Sequence, residues 1–239
     1  MEKIVRKIEI KVSMKLLSGL HIGGNKENVE IGGIDNPVIR ARMKDNMPYI
    51  PGSSIKGKIR SLLEQINGIA EIGGGEKIEL TKKTSACQEI INLFGFADNK
   101  KPSKLIVRDA YLSPKSKEAL ENTDGLDMPY TEGKWENSIK RVEGTADNPR
   151  QTERIPAGVD FDLYFVINVW DDDNNNDKGK SLVDLLAKGL TMVENDYLGG
   201  NGSRGYGQVK FSERKDWEFK VATDNEWTMT STKEADIWK

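Results

Sequence analysis

An α+β fold of the ferredoxin-like or RNA-recognition type, an antiparallel sheet with helices on one face, is predicted by three observations. Two segments alternate with the period of a strand, two others repeat with the period of a helix, and their order along the chain is strand, helix, strand, interruption, strand, helix, strand. In the first strand, Lys7 to Lys15, residues Ile8, Ile10, Val12 and Met14 fall on one face and Lys7, Glu9, Lys11, Ser13 and Lys15 on the other, the mark of a half-buried strand. The second alternation carries Phe161, Leu163, Phe165, Ile167 and Val169, interleaved with Asp162, Tyr164, Val166 and Asn168. Shorter strands are expected over Leu105 to Leu112 and Gln208 to Phe211.

The first helix follows Pro51-Gly52. Ser53 or Ser54 is its expected cap, and Ile55, Ile59, Leu62, Leu63 and Ile66 form its stripe at i, i+4, i+7, i+8 and i+11. The second runs from about Ser181 with Leu182, Leu185, Leu186, Leu190 and Val193 on one side. Three interruptions separate these elements, at about residues 23–49, 67–102 and 113–158. Structureless connections of such length are uncommon in compact domains, so they read as functional insertions on one palm-like domain spanning residues 1–239.

The composition narrows the function. The chain has 239 residues, 36% of them hydrophobic and 31% charged, which is lean in core and fits long solvated insertions. No apolar run approaches the roughly 20 residues of a membrane span, and the start of the chain carries charge without a continuous apolar stretch, so no signal peptide is expected. Cys87 is the sole cysteine and His21 the sole histidine. That excludes an internal disulfide, a cysteine-based zinc site and any mechanism needing two histidines. A cytoplasmic location without membrane attachment is expected. The net charge of −2 gives no global sign of a nucleic-acid protein, but phosphate affinity depends on local patches.

Four motifs stand out. Gly200-Asn201-Gly202-Ser203-Arg204-Gly205 spells GxGxxG in reversed context, after a helix and before a strand, so it is not a dinucleotide fingerprint. Five glycines between Gly199 and Gly207, with Arg204 among them, instead read as a loop that phosphates can approach. Gly52 to Ile59 nearly spells a phosphate-binding NTPase loop but lacks the hydroxyl for magnesium at Ile59. Lys56 and Arg60, one helical turn apart near the helix N-terminus, read either as a solvated face or as a row of cations for phosphates. The run Asp171 to Asp177 lacks the glycine and glutamate of a calcium loop and reads as a solvated turn. Asp35, in Ile31-Gly32-Gly33-Ile34-Asp35-Asn36-Pro37, is by itself a turn aspartate.

Taken together, five pieces in order resemble the repeated backbone subunit of type III-A CRISPR effector complexes, in the RAMP superfamily. They are Ser18 to Gly24, Ile34 to Val38, Tyr49 to Arg60, Glu136 to Arg141 with Pro149 to Gly158, and Tyr197 to Gly207. The resemblance implies subunits stacked head-to-tail on a CRISPR RNA guide, together with the other subunits of the complex. The 23–49 and 67–102 insertions would then serve as lids, and the 113–158 insertion, around Trp135 to Arg154, as a hairpin thumb. It implies RNA contacts at His21, Ser54, Lys56, Arg60, Arg141, Arg150, Arg154, Gly200, Gly202, Ser203, Arg204 and Gly205. It places the cleavage residue at Asp35, also the expected ligand of a divalent cation, Mg2+, in endonucleolytic cutting of complementary target RNA at regular intervals. Two alternatives stay open: a RAMP endoribonuclease that processes precursor guide RNA with His21 as acid or base, and a non-catalytic guide-binding scaffold.

Overall fold

The computed structural model describes residues 3–24, 34, 36–68, 85–96, 101–171, 177–223 and 226–238. Its centre is the antiparallel pair β1 (Ile4–Leu16) and β8 (Asp160–Trp170). Their register places Ile8 opposite Ile167, Ile10 opposite Phe165, Val12 opposite Leu163 and Met14 opposite Phe161, and all eight side chains are buried. The alternation seen in each sequence thus becomes one apolar face shared across strands.

Around this pair lie β2 (Arg40–Ala41), β3 (Met47–Ile50), β4 (Leu105–Val107), β5 (Ala110–Leu112), β9 (Val209–Phe211), β10 (Glu218–Thr223) and β11 (Glu226–Thr232). The order is β11-β10-β1-β8-β5-β3-β2, with β4 also on β8 and β9 also on β1. Within it, β9, β1, β8 and β4 with β5 form the ferredoxin-like core expected from the element order. The segment 105–112 is two strands rather than the single one expected. Arg108 and Asp109 break it, and the break lets Asp109 Oδ1 accept the Gly52 N–H at 2.8 Å.

That bond also corrects the expected cap of helix α1 (Gly52–Ile66). Ser53 and Ser54 lie inside the helix, Pro51 stands at the cap position without a side-chain bond, and Asp109 satisfies the first N–H from across the sheet. Ile55, Ile59, Leu62 and Leu63 are buried as the spacing predicts, whereas Ile66, in the last turn, is exposed. Helix α4 (Lys180–Glu194) buries all five residues of its predicted stripe. Its start is held by Asp177, which accepts from Gly179 N and Ser181 N, both at 2.9 Å. The last residue of the acidic run is therefore a helix cap, while residues 172–176 lie outside the described residues.

The insertions carry structure of their own. Helix α2 (Ser85–Phe94), which buries Cys87, belongs to the second. Helix α3 (Pro114–Glu121) and the hairpin β6 (Glu132–Ile139) and β7 (Ala146–Arg154) belong to the third. The pairing of β10 with Arg6 to Lys11 of β1 was not anticipated, although Phe219 and Val221 alternate with charged neighbours in its sequence.

On the sheet face opposite the core, Lys11 pairs with Asp162 at 3.7 Å and Glu218 at 3.4 Å, and Lys220 with Glu9 at 3.6 Å. That face is neutralised by its own charges. Helices α1 and α4 cross closely at Gly189, where a Cβ would run into Ile59. Gly189→Val is expected to lower the unfolding free energy by about 1–3 kcal/mol through overpacking. Gly57→Ala, on α1 where a Cβ meets nothing within 4 Å, is expected to raise it by about 0.5–1 kcal/mol. Urea denaturation of the two variants checks both signs.

Candidate nucleic-acid interface

Three segments that are far apart in sequence are laced together beside the sheet. Leu20 exchanges backbone bonds with Ile155 at the foot of the hairpin (2.9 and 2.8 Å). On its other side, Gly200 N donates to His21 O at 2.8 Å and Gly207 N to Gly19 O at 3.0 Å. The stretch Gly19 to His21 is thus a strip with the hairpin foot on one edge and the glycine loop on the other.

The glycines of the loop divide into two kinds. At Gly199, Gly202 and Gly207 the space of a Cβ is filled by His21 O, the Tyr197 ring and Leu198 O, so these positions are small because the chain packs on itself. Gly205 has φ +83 and no atom within 4 Å of a Cβ position, and Gly200 meets only ordinary contacts with His21. Bare backbone open to an approaching phosphate is therefore confined to Gly200 and Gly205, with Ser203 and Arg204 exposed between them.

At the foot of the hairpin Glu153 is buried, its side chain 2% exposed. Its carboxylate accepts from Val38 N at 2.7 Å, from Thr131 Oγ1 at 2.6 Å and from Arg40 Nη2. Its backbone N–H donates to Asn36 O at 3.1 Å, and its carbonyl accepts from His21 Nδ1 at 2.7 Å. A carbonyl only accepts, so Nδ1 carries a proton and Nε2 is the ring nitrogen not engaged by this bond. Thr131 is delivered by Tyr130, which holds a left-handed φ of 68° that bulky residues rarely adopt.

Higher on the hairpin, Glu136 is ringed by cations. Lys134 Nζ stands 3.6 Å from Oε1; Arg150 Nη2 and Arg204 Nη1 stand 3.6 and 3.5 Å from Oε2. The buried Tyr206 hydroxyl lies against the same carboxylate. Burial, and then Glu136, push that hydroxyl up to about 12. Burial would raise the Glu136 carboxyl, but Tyr206 and the three cations outweigh it and hold it below the usual range. Lys134 Nζ and Arg154 Cζ sit 4.5 and 5.3 Å from the Tyr206 ring centre.

A family profile described as the RAMP superfamily matches residues 13–210, which takes in the strip, the hairpin and the glycine loop. The chain belongs to the RAMP superfamily. Among its relatives, the CRISPR system Cms endoribonuclease Csm3 of Methanocaldococcus jannaschii is 41% identical over 87% of this chain and 80% of its own length. The protein of the same name from Enterococcus italicus is 40% identical over 86% and 89%. A crystal structure of a Csm3–Csm4 subcomplex from the type III-A CRISPR-Cas interference complex has a chain that aligns with TM-score 0.56 and 25% identity, covering 98% of this chain and 96% of that one. A type III-B Cmr-beta complex bound to cognate target RNA contains a chain of the same fold, with TM-score 0.58 and 16% identity over 91% of this chain and 61% of that one.

In this RAMP chain the expected site residues do not form one cluster. His21, Arg150, Arg154, Gly200, Gly202, Ser203, Arg204 and Gly205 gather along the seam between hairpin and glycine loop. Arg154 is tied to Glu132 at 2.7 Å, and Arg141 is exposed in the hairpin turn. Ser54, Lys56 and Arg60 stand on α1. Lys56 donates to Ser103 Oγ and Leu105 O, each at 2.7 Å, and Arg60 Nε donates to Glu64 at 2.6 Å. Both α1 cations therefore have protein partners, which a reading of cation spacing alone overlooked. Asp35 lies outside the described residues. Among the described residues no group of three or more His, Cys, Asp or Glu side chains is placed to hold a metal ion.

Glu136, Glu153, Lys134 and Tyr206 lie in or beside the segments that carry the resemblance, but no spacing or composition marks them as the residues that hold the seam. Trp135, Ile139 and Val142 are 66%, 69% and 98% exposed on the hairpin, so the apolar groups there are uncovered in the single chain.

Glu153→Ala is expected to destabilise the fold by about 3–5 kcal/mol, because it leaves Arg40 unpaired in a buried setting; chemical denaturation measures the loss. The raised hydroxyl at Tyr206 gives a second expectation. The stability it carries is fully present below the ordinary tyrosine value of 10.0 and is lost as pH rises from there toward about 12. Melting curves across that window should fall more steeply for the wild type than for Tyr206→Phe.

Proposed function

We propose that the chain is a repeated backbone subunit of a type III-A CRISPR effector complex, which holds the guide RNA and cuts complementary target RNA. The observation that carries this reading is the seam. Guanidiniums and an ammonium from the hairpin, a guanidinium and bare backbone from the glycine loop, and the imidazole of the Gly19–Gly24 strip converge on one strip of surface in a protein whose net charge is negative. Such a surface grips a phosphate backbone without reading bases. Relatives named endoribonuclease at 40–41% identity support the same reading.

In this reading, Ser54, Lys56 and Arg60 meet guide phosphates from α1, and the exposed Trp135, Ile139 and Val142 of the hairpin press against unstacked bases of the guide–target pair. Copies stack head-to-tail on the guide, one subunit's hairpin serving the next subunit's site, in the cytoplasm with the other subunits of the complex. Among the described residues no helix is long and apolar enough to cross a membrane.

For the reaction, the target's ribose 2′-hydroxyl gives up its proton and its oxygen attacks the adjacent phosphorus; the P–O bond to the 2′-oxygen forms, the bond to the 5′-oxygen breaks and that oxygen takes up a proton. The products are a 2′,3′-cyclic phosphate and a 5′-hydroxyl. Asp35 is the proposed cleavage residue, and the backbone of the neighbouring Asn36 is bound to Glu153 N. A divalent cation, Mg2+, would supply charge stabilisation at the phosphate. The described residues do not form a preassembled site for it, so its ligands beyond Asp35 would come from RNA oxygens and water.

One observation favours the second reading, precursor processing: the Glu153 carbonyl holds His21 Nδ1, which leaves Nε2 as the ring nitrogen placed to act as acid or base. Assembled complex incubated with guide-matched RNA separates the two. Asp35→Ala is expected to abolish cutting while assembly and target binding persist. The wild type is expected to cut at regularly spaced positions and to stop cutting in chelator. Cutting that survives in Asp35→Ala but stops in His21→Ala would establish the second reading instead.

A further inference from the structure

Glu136 presents a charge problem that the fold alone does not explain. Its side chain is 9% exposed, and among the described residues neither its Oε2 nor the Tyr206 hydroxyl beside it has a hydrogen-bond partner. A buried carboxylate oxygen left without a hydrogen bond is costly, and three cations stand around this carboxylate at 3.5 to 3.6 Å. Three positive charges share one negative charge, so the cluster keeps a surplus of positive charge and has room for a second anion.

The two guanidiniums come from different parts of the chain. Arg150 is on β7, directly opposite Glu136 in the hairpin register, and Arg204 is in the glycine loop. Both converge on the same oxygen, and their side chains remain 41% and 50% exposed, so both are open to a ligand from solvent. A carboxylate shared by two guanidiniums holds them side by side, an arrangement suited to a tetrahedral anion.

We propose that Glu136 is a positioning residue, which holds Arg150 of the hairpin and Arg204 of the glycine loop as a pair that grips a single RNA phosphodiester. The proposal rests on the guide-binding reading above. In this arrangement the carboxylate favours RNA binding despite its sign. The phosphodiester completes the cluster's charge balance and bridges the middle of the hairpin to the loop.

The sign makes the proposal testable. A simple electrostatic account predicts that removing a negative charge beside RNA tightens binding; positioning predicts the reverse. The measurement is fluorescence anisotropy of a labelled single-stranded guide RNA with the full chain across a salt titration, using wild type, Glu136→Gln, Arg150→Ala, Arg204→Ala and the double arginine variant. Glu136→Gln is expected to weaken binding and to flatten the salt dependence by about 0.7, the slope of one phosphate contact on a single strand. It should have no further effect in the double arginine background. Weakening without a change of slope would mark a structural role only, and tighter binding by Glu136→Gln would overturn the proposal outright. Should Glu136→Gln fail to fold, the arginine cycle decides: one shared phosphodiester predicts that the two losses are not additive, whereas additive losses would mean separate contacts and end the proposal. A wild-type chain that binds no RNA would instead overturn the guide-binding reading itself.

Discussion

The buried ion pair of Glu153 and Arg40 is the interaction on which the rest of the interface depends. A carboxylate withdrawn from water must recover its solvation from protein donors. Glu153 finds them in Val38 N, Thr131 Oγ1 and Arg40, which belong to two different insertions. Its own backbone then reaches His21 and Asn36. One residue at the hairpin foot therefore fixes the strip that carries the histidine and the segment just past Asp35. The left-handed Tyr130 is the local cost of bringing Thr131 into that network. Insertions that look like decoration on a small sheet are in this way anchored to it by a charge.

The scaffold was legible because it depends on periodicity. β1, β8, α1 and α4 each announce themselves through spacing, and their buried residues fall where the spacing puts them, apart from Ile66 at the fraying end of α1. The interruption 113–158 is legible as an insertion from its length, its hairpin only through the family resemblance and α3 not at all, because β6 and β7 are mostly exposed or half-buried and so lack an alternating apolar face. The cap of α1 was misread for a different reason: the serines at the expected position are local, while the group that caps is Asp109, 57 residues away.

The seam was only half legible. Arg150, Arg204 and the glycine loop carry signals in composition and in family likeness. Glu136, Glu153 and Tyr206 lie in the segments that carry the likeness, but nothing in composition or spacing marks their roles, since an acid in a charged hairpin or a tyrosine in a glycine loop looks like any solvated residue until folding buries it. Folding also reassigns what composition suggests. Three of the loop's glycines are small to admit Tyr197, Leu198 and His21 of the same chain, and Lys56 bridges α1 to the start of β4. A motif rich in the right residues thus serves both the architecture and its ligand.

The way β1 is bordered bears on how the molecule is made. One edge of this 13-residue strand is covered along its length by β8, but the other is shared between β9 near its end and β10 nearer its start. β1 is synthesised long before β10, residues 218–223, so that edge is closed only once β10 has been made. While the chain is still emerging from the ribosome, Arg6 to Lys11 present an open ladder of backbone donors and acceptors. Their alternate positions are lysine and glutamate, which keep that transient edge soluble until β10 arrives.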